Sequence, residues 1–424
     1  MKSLTKSVSS KLLVKDVQVQ LSLPVVGVLR DVQSAFFGLC IKAGKAVLAA
    51  MMESERTALC GPKGVPDDQR SAYRGGHTRS SVVLGGRRIA IRRPRAHAVQ
   101  AGELSLPSFH WATQTDPLNA ATMTAIAAGV SQRRYRSTLD PLPAGEMQSS
   151  VSKSAVSRRF VALSTEKLQA WLSRRIEVAL PVVMIDGIYF QDRVVLVAMG
   201  FDSHGKKHIL GIREGSTEAA RVVRTLLSDL IERGLDAEVP RLWVIDGGKA
   251  LRRAITETFG RFALVHRCQE HKRRNVLAHL PQELHPSVER ALKDAWQTKD
   301  CILAKRQLDR LAQSLARNHP DAARSLREGL EETLTLIELG VDDALYRTFR
   351  TTNPIENLNG LIVHYTRNVK RWRDGQMLLR WIGTALNEAS RGFRAVRGFR
   401  DMKRLTSALA QRVRSASITE LKVA

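Results

Sequence analysis

Cysteine is scarce in this 424-residue chain. The four present, Cys40, Cys60, Cys268 and Cys301, are too few and too scattered for a disulfide framework. Long apolar runs are missing as well. No stretch approaches the roughly 18 apolar residues of a spanning helix. The best N-terminal run, Leu21 to Leu29, contains Pro24 and stops at Arg30-Asp31, which makes a poor signal peptide. These absences predict a chain with no membrane partner and a cytoplasmic location. Acids are under-represented: 41 Asp+Glu face 67 Lys+Arg, a net charge of +26 with a pI near 10.6. A small acidic substrate does not account for that surplus, because one phosphate does not need it. A polyanion does, and nucleic acid is the leading candidate, with an incidentally basic solvated surface as the alternative. Aromatics are only 5%, yet hydrophobic residues reach 43%, enough to build cores and to exclude disorder of the whole chain. At roughly 150 residues per domain, the length predicts two to four domains.

Apolar residues at helical spacing predict a helix from about Asp31 to Leu59, broken by Gly61-Pro62. A basic, glycine-punctuated segment follows. Ser81–Leu84 and Arg88–Arg92, flanking Gly85-Gly86, predict a hairpin. Arg87, Arg88, Arg92, Arg93 and Arg95 would line it, with no acid interrupting them, as phosphate contacts or as a solvated basic face. Residues 120–175 read as a helix–turn–helix candidate: short helices over Thr122–Ala128 and Ser131–Ser137, then a longer one opening at Ser152 or Ser154 as N-cap. In that last helix Val156 and Phe160 would pack inward. Lys153, Ser157, Arg158 and Arg159 would face outward, as on a recognition helix in a major groove or simply on a helical linker.

Pro181–Phe190, Arg193–Phe201 and Lys207–Gly211 then read as three consecutive strands. A helix over Thr217–Gly234, a strand from Arg241 ending at Asp246, a helix over Lys249–Phe259 and a strand over Ala263–His266 complete the series. This is the element order of an RNase H-like mixed sheet, an α/β core. From about His271 to Leu339 the chain turns wholly helical, an insertion within that core. After it, Asn353 is a candidate N-cap, with Pro354 at the first helical position and Glu356 in the first turn, where the helix dipole favours an acid. No internal repeat or low-complexity tract appears.

Two acids interrupt the strands. Asp186 sits in Val-Val-Met-Ile-Asp-Gly, where an unpaired carboxylate is expensive. Asp246 ends Trp-Val-Ile-Asp-Gly-Gly. With the first and fourth strands adjacent, the two would face each other and repel unless a divalent cation lies between them. Glu356 would add a third carboxylate, with Asp342, Asp343 and Glu388 as weaker rivals. Each acid alone also fits a bland role, a turn or a dipole contact. An oxygen-only set points to Mg²⁺ or Mn²⁺, two ions per site roughly 3.5–4 Å apart, one activating the attacking oxygen and one stabilising the leaving 3′ oxygen. Cys268 and His271, as Cys-x-x-His, could be half of a zinc site, but two further ligands at regular spacing are missing; a structural or site-supporting role is the other reading. Trp296 could stack on an unpaired base or serve as a core tryptophan. Beyond Glu356 the chain stays helical and basic through Arg367, Lys370, Arg371 and Arg373, which fit a phosphate path beside the acids or a solvated face.

Asp186-Gly with its following strands, Val-Ile-Asp246-Gly-Gly-Lys-Ala, Arg267-Cys-Gln-Glu-His271-Lys and Thr-Thr-Asn-Pro-Ile-Glu356-Asn-Leu-Asn together resemble the DDE transposases of bacterial insertion sequences of the Mutator type. The N-terminal stretches Glu-Arg-Thr-Ala-Leu-Cys60-Gly, Tyr73-Arg-Gly-Gly and Arg-Arg-Pro-Arg95 extend the resemblance over essentially the whole chain. It implies an RNase H-like core interrupted by an all-helical insertion between the second Asp and the Glu, with Asp186, Asp246 and Glu356 as the triad. The family carries the Cys-x-x-His pair too. The expected organisation is an N-terminal helical region (1–60), a basic hairpin segment (61–118), a helix–turn–helix-like domain (119–178), the first part of the core (179–270), the insertion (271–345), the last part of the core (346–390) and a basic helical tail (391–424). The expected activity is metal-dependent hydrolysis and strand transfer at terminal inverted repeats and target DNA, by a homodimer or larger assembly associated with the nucleoid and using no small-molecule substrate. A catalytically silent DNA-binding regulator and an RNase H-like nuclease without strand transfer are the alternatives.

Overall fold

The computed structural model describes residues 32–66, 69–84, 87–100, 102–114, 126, 148–149, 153–215 and 220–423. The chain divides into two compact units, residues 1–163 and 164–424. Among the described residues no helix is long and apolar enough to cross a membrane.

In the first unit, helix α1 (Val32–Cys60) is followed by a long hairpin, β1 (Ala72–Leu84) and β2 (Arg87–Ala98). Gly61, at φ +76, ends the helix as expected. The hairpin pairs its strands as far as Leu84 with Arg87, and it is longer than the alternation in sequence suggested; the expected Gly85-Gly86 turn lies outside the described residues. A register shift falls between Arg74 and His77, where a side chain on Gly75 would run into the His97 ring. Two short strands, β3 (Glu103–Leu104) and β4 (Gln148–Ser149), both pair with β2. Leu48 and Met52 of α1 pack on Val82, Ile91, Leu106 and Ala112, the last from α2 (Pro107–Gln114). The candidate helices Thr122–Ala128 and Ser131–Ser137 lie outside the described residues apart from Ile126. Helix α3 (Lys153–Leu172) does form, burying Val156 and Phe160 as the spacing requires. It begins at Lys153, so Ser154 is a helical residue rather than the cap, and Ser152 lies outside the described residues.

The second unit is a five-stranded mixed sheet with helices on both faces. Strands β5 (Val182–Phe190), β6 (Arg193–Phe201) and β7 (Lys207–Gly215) form an antiparallel meander, four residues longer at its end than expected. Helix α4 (Ala220–Glu232) leads to β8 (Arg241–Ile245), which lies parallel to β5, and helix α5 (Lys249–Phe259) leads to β9 (Ala263–Arg267), parallel to β8. The sheet order is β7-β6-β5-β8-β9, so the first and fourth strands of the sequence are neighbours. The central strands are buried on both sides and therefore read as continuous apolar runs.

Their two-residue period sorts the side chains. Val183, Ile185, Trp243 and Ile245 face α4 and α5, packing on Leu226, Leu230, Ala254 and Ile255. Val182, Met184, Ile188, Leu242 and Val244 face the other way, toward three helices from the end of the chain. These are reached through the insertion, α6 (Gln269–Leu277), α7 (His285–Gln297), α8 (Cys301–Ala316) and α9 (Pro320–Arg327), which has its own apolar core, and then α10 (Asp343–Phe349). The three are α11 (Asn353–Thr366), α12 (Gly375–Ser390) and α13 (Met402–Val423).

Two expectations change here. Residues 391–424 are no tail: Val396, Met402, Leu405 and Leu409 are buried in the same cluster as the β5 side chains, because the covering layer on that face needs α13. Asn353 is the first residue of α11, and Thr352 occupies the cap position, its carbonyl accepting from the Ile355 and Glu356 N–H groups at 3.0 Å. Pro354 then falls within the first turn, where its missing N–H costs nothing.

Candidate active site

Period two decides where the acids point. Asp186 has the parity of Met184 and Ile188, and Asp246, just past β8, has the parity of Leu242 and Val244. Met184 pairs with Val244, so each acid lies two residues beyond a paired position on adjacent parallel strands. Both therefore belong to the face covered by α11, which brings Glu356 in its first turn.

Burial pushes Asp186 up from 3.8 to about 6, with the charges of Asp246 and Glu356 adding to the rise and the Gly187 N–H and His271 opposing it. That balance is what three carboxylates sharing one pocket produce when no cation neutralises them. Each acid is oriented. Asp186 accepts from the Gly187 N–H at 3.0 Å and from Asn359 Nδ2 at 2.8 Å. Asp246 accepts from the Gly248 N–H at 2.9 Å. The turn that allows this contact has Gly247 at φ +105, where a Cβ would also overlap the Arg267 guanidinium, so both conformation and space require glycine. Arg267 is held there by the Glu328 carbonyl at 2.8 Å.

Glu356 accepts from the Thr352 hydroxyl. Thr352 is wholly buried, and its Oγ1 also lies 3.3 Å from Cys268 Sγ and 3.3 Å from His271 Nδ1. His271 Nδ1 is 3.3 Å from Cys268 Sγ and 3.7 Å from Glu356 Oε1. The Cys-x-x-His pair thus stands beside the acids, Cys268 capping the start of α6. The hydrogen bond with Cys268 raises His271 to about 9, despite its partial burial. Burial pushes the Cys268 thiol up, but the hydrogen bonds with His271 and Thr352 outweigh it and leave its pKa below the usual value. Cys268, His271 and Glu356 present three possible ligand atoms within 4.8 Å of one another.

An oxygen-rich trio of carboxylates suits a hard divalent cation of the Mg²⁺ or Mn²⁺ kind. Beside that trio, Asn359 Oδ1 is buried without a partner among the described residues, an acceptor suited to an ion's water shell. The rival acids are engaged elsewhere: Asp342 with Arg404 at 3.1 Å, Asp343 with Lys299 at 3.5 Å, Glu388 with Arg391 at 2.8 Å.

The basic residues fare unevenly. Arg92 is exposed, but Arg93 and Arg95 both pair with Glu103, at 2.6 and 3.0 Å. The acid missing from the local sequence arrives from β3, across from His97, so the five arginines do not form one unopposed row. Arg88 reaches Ser81 at 3.4 Å, and the Arg87 side chain lies outside the described residues. On α3, Lys153 and Arg158 are exposed, Ser157 and Arg159 half-exposed. Arg367, Lys370, Arg371 and Arg373 are exposed directly after α11, the helix that carries Glu356. Trp296 is only 5% exposed, packed in the insertion's core with its Nε1 donating to Thr333 Oγ1 at 3.1 Å, which is the core placement rather than a stacking platform.

Sequence reasoning missed Thr352, Asn359 and Gln269. The first two lie four residues before and three after Glu356, on its own helical face, and that spacing was the available signal. Gln269 bridges the Thr333 carbonyl and the Tyr346 hydroxyl at 3.0 and 2.8 Å, a contact across the insertion that no local pattern announces.

The family model for Mutator family transposases matches residues 29–395. The chain is 27% identical over 364 residues to the transposase for insertion sequence element IS406 of Burkholderia multivorans, spanning 82% of this chain and 90% of that protein. It is 26% identical over 348 residues to the transposase for ISRM5 of Rhizobium meliloti, spanning 80% and 84%. The same identity holds over 357 residues with the transposase for IS256 in transposon Tn4001 of Staphylococcus aureus, spanning 80% and 87%.

Proposed function

Given that the chain belongs to the Mutator family of transposases, we propose that it binds the terminal inverted repeats of its own element, hydrolyses a phosphodiester there to free a 3′-OH, and directs that hydroxyl onto target DNA. The reaction centre is the trio Asp186, Asp246 and Glu356 on an RNase H-like sheet. The observation that carries this reading is the convergence of the three acids on one sheet face, with Asp186 raised to about 6 by burial and like charge. Asp186, Asp246 and Glu356 would hold Mg²⁺ or Mn²⁺, two ions per site, which when bound supply an activated attacking oxygen and charge neutralisation at the leaving oxygen.

The chain's own groups do the positioning. Gly248 N–H fixes Asp246, Asn359 fixes Asp186, and Thr352 fixes Glu356, so the carboxylates are oriented before DNA arrives. The exposed Arg367, Lys370, Arg371 and Arg373 offer phosphate contacts next to the helix of Glu356. Arg92 on the hairpin and Lys153 and Arg158 on α3 offer others, in keeping with the net charge of +26. Two element ends must be joined in one reaction, which calls for a homodimer or larger assembly on DNA.

The test is a cleavage and strand-joining assay on end-sequence DNA with Mg²⁺. Wild type cuts and joins; Asp246→Asn binds the same DNA and does neither. A variant that still cleaves overturns the triad, and a wild type that binds ends without cutting makes the chain a regulator.

A further inference from the structure

We infer that Asn359 is a fourth functional position of this site, a positioning residue that locks Asp186 and orders the water shell of the divalent ion. The inference rests on the acid-trio reading above and extends it. Asn359 lies three residues after Glu356 in α11, so both project toward the sheet from one helical face. Its Nδ2 donates to Asp186 Oδ2 at 2.8 Å, while the other Asp186 oxygen accepts from the Gly187 N–H at 3.0 Å. The carboxylate is therefore held at both ends and cannot turn away from Asp246 and Glu356. A carboxylate oxygen carries two lone pairs, so the amide contact leaves one free for an ion.

The other half of the amide is the more telling. Asn359 Oδ1 is buried and has no hydrogen-bond partner among the described residues. Such an orphan is normally destabilising and is kept where a further partner satisfies it. Its geminal nitrogen already touches Asp186, so Oδ1 lies beside the acid trio. A water molecule bound to a divalent cation is a strong donor, and it is the chemistry that pairs with a neutral, buried amide oxygen here. An aspartate at this position would add a fourth negative charge, and a leucine would supply neither donor nor acceptor. The asparagine does both jobs without charge.

The experiment titrates the full-length protein with Mn²⁺, following free Mn²⁺ by electron paramagnetic resonance without DNA, for wild type, Asn359→Leu and Asp246→Asn. Asn359→Leu is expected to weaken Mn²⁺ binding about tenfold, the loss of one good hydrogen bond. End-DNA affinity should stay within twofold. On end DNA the maximal cleavage rate should fall tenfold or more at low Mn²⁺ and recover as Mn²⁺ is raised, a rescue that a misfolded variant would not show. Mn²⁺ affinity within twofold of wild type overturns the inference. If Asn359→Leu melts at room temperature, Asn359→Ala, which only removes atoms, is read by the same criteria. Asp246→Asn separates the two claims: loss of Mn²⁺ binding there with unchanged binding in the Asn359 variants sinks only the role of Asn359, whereas unchanged binding in Asp246→Asn sinks the acid site itself.

Discussion

Thr352 and Glu356 stand one helical turn apart, the hydroxyl of the first donating to the carboxylate of the second while the same hydroxyl touches Cys268 and His271. A single buried oxygen thus connects the Cys-x-x-His pair to the third acid. Thr352→Val keeps the shape and removes that oxygen. The expected result is a loss of about 1–3 kcal/mol of stability, from leaving buried polar neighbours unpaired, together with slower DNA cleavage at unchanged DNA affinity. Urea melts and single-turnover cleavage measure the two effects; cleavage at the wild-type rate would show that Glu356 needs no such support.

Asp186 carries a pH signature. Its folded pKa, about 6, lies above the usual 3.8 because burial and two neighbouring carboxylates disfavour the charged form. The folded chain therefore holds this proton more tightly than the unfolded chain. In metal-free protein, the stability tied to that proton is complete below pH 4 and is lost as the pH rises through 6. Asp186→Asn should raise the stability of metal-free protein at pH 8 by about 1–3 kcal/mol and make little difference near pH 4. Thermal melts in a chelator at the two pH values check this. A variant less stable than wild type at pH 8 would contradict it.

Gly247 is the position where the Asp246 turn has no room. Gly247→Ala meets both the left-handed φ of +105 and the Arg267 side chain. A cost of about 1–3 kcal/mol and a displaced Asp246 are expected, seen as a lower melting temperature and weakened Mn²⁺ binding together. Wild-type Mn²⁺ affinity in this variant would mean that the turn does not hold Asp246.

Glu103 neutralises two arginines of the hairpin. If this face meets DNA phosphates, Glu103→Gln should tighten binding to end DNA at low salt and steepen the dependence of log affinity on log salt by about 1–2. A gel-shift series across salt concentrations reads both, and an unchanged slope would remove Arg93 and Arg95 from the DNA contact.

Much of this was legible in sequence because local patterns carried it. The strands announce themselves as apolar runs, and the alternation inside them puts Asp186 and Asp246 on a common face once β5 and β8 are neighbours. Glu356 was legible from the Pro354 that marks a helix start. What stayed hidden depends on packing between distant segments. Glu103 reaches Arg93 and Arg95 only through β3, and Asn359 meets Asp186 across 173 residues of chain. The C-terminal helix looked like a basic appendage because Lys403, Arg404, Arg412 and Arg414 stud it along its length. Yet Met402, Leu405 and Leu409, at three- and four-residue intervals, were the stripe that the sheet required.

The helical insertion leaves the sheet at Cys268 and returns at Thr352, and these two residues touch: the Thr352 N–H approaches Cys268 Sγ at 3.4 Å, and the Gln269 N–H donates to the Arg350 carbonyl at 3.0 Å. More than eighty residues are therefore closed by a neck immediately beside the acids, with Glu328 and Thr335 adding further ties to the last strand. Beyond such a neck, length is thermodynamically cheap, since doubling a closed loop adds only about 0.6 kcal/mol. Insertions of very different size can hang from the same knot while the spacing of the three carboxylates stays fixed.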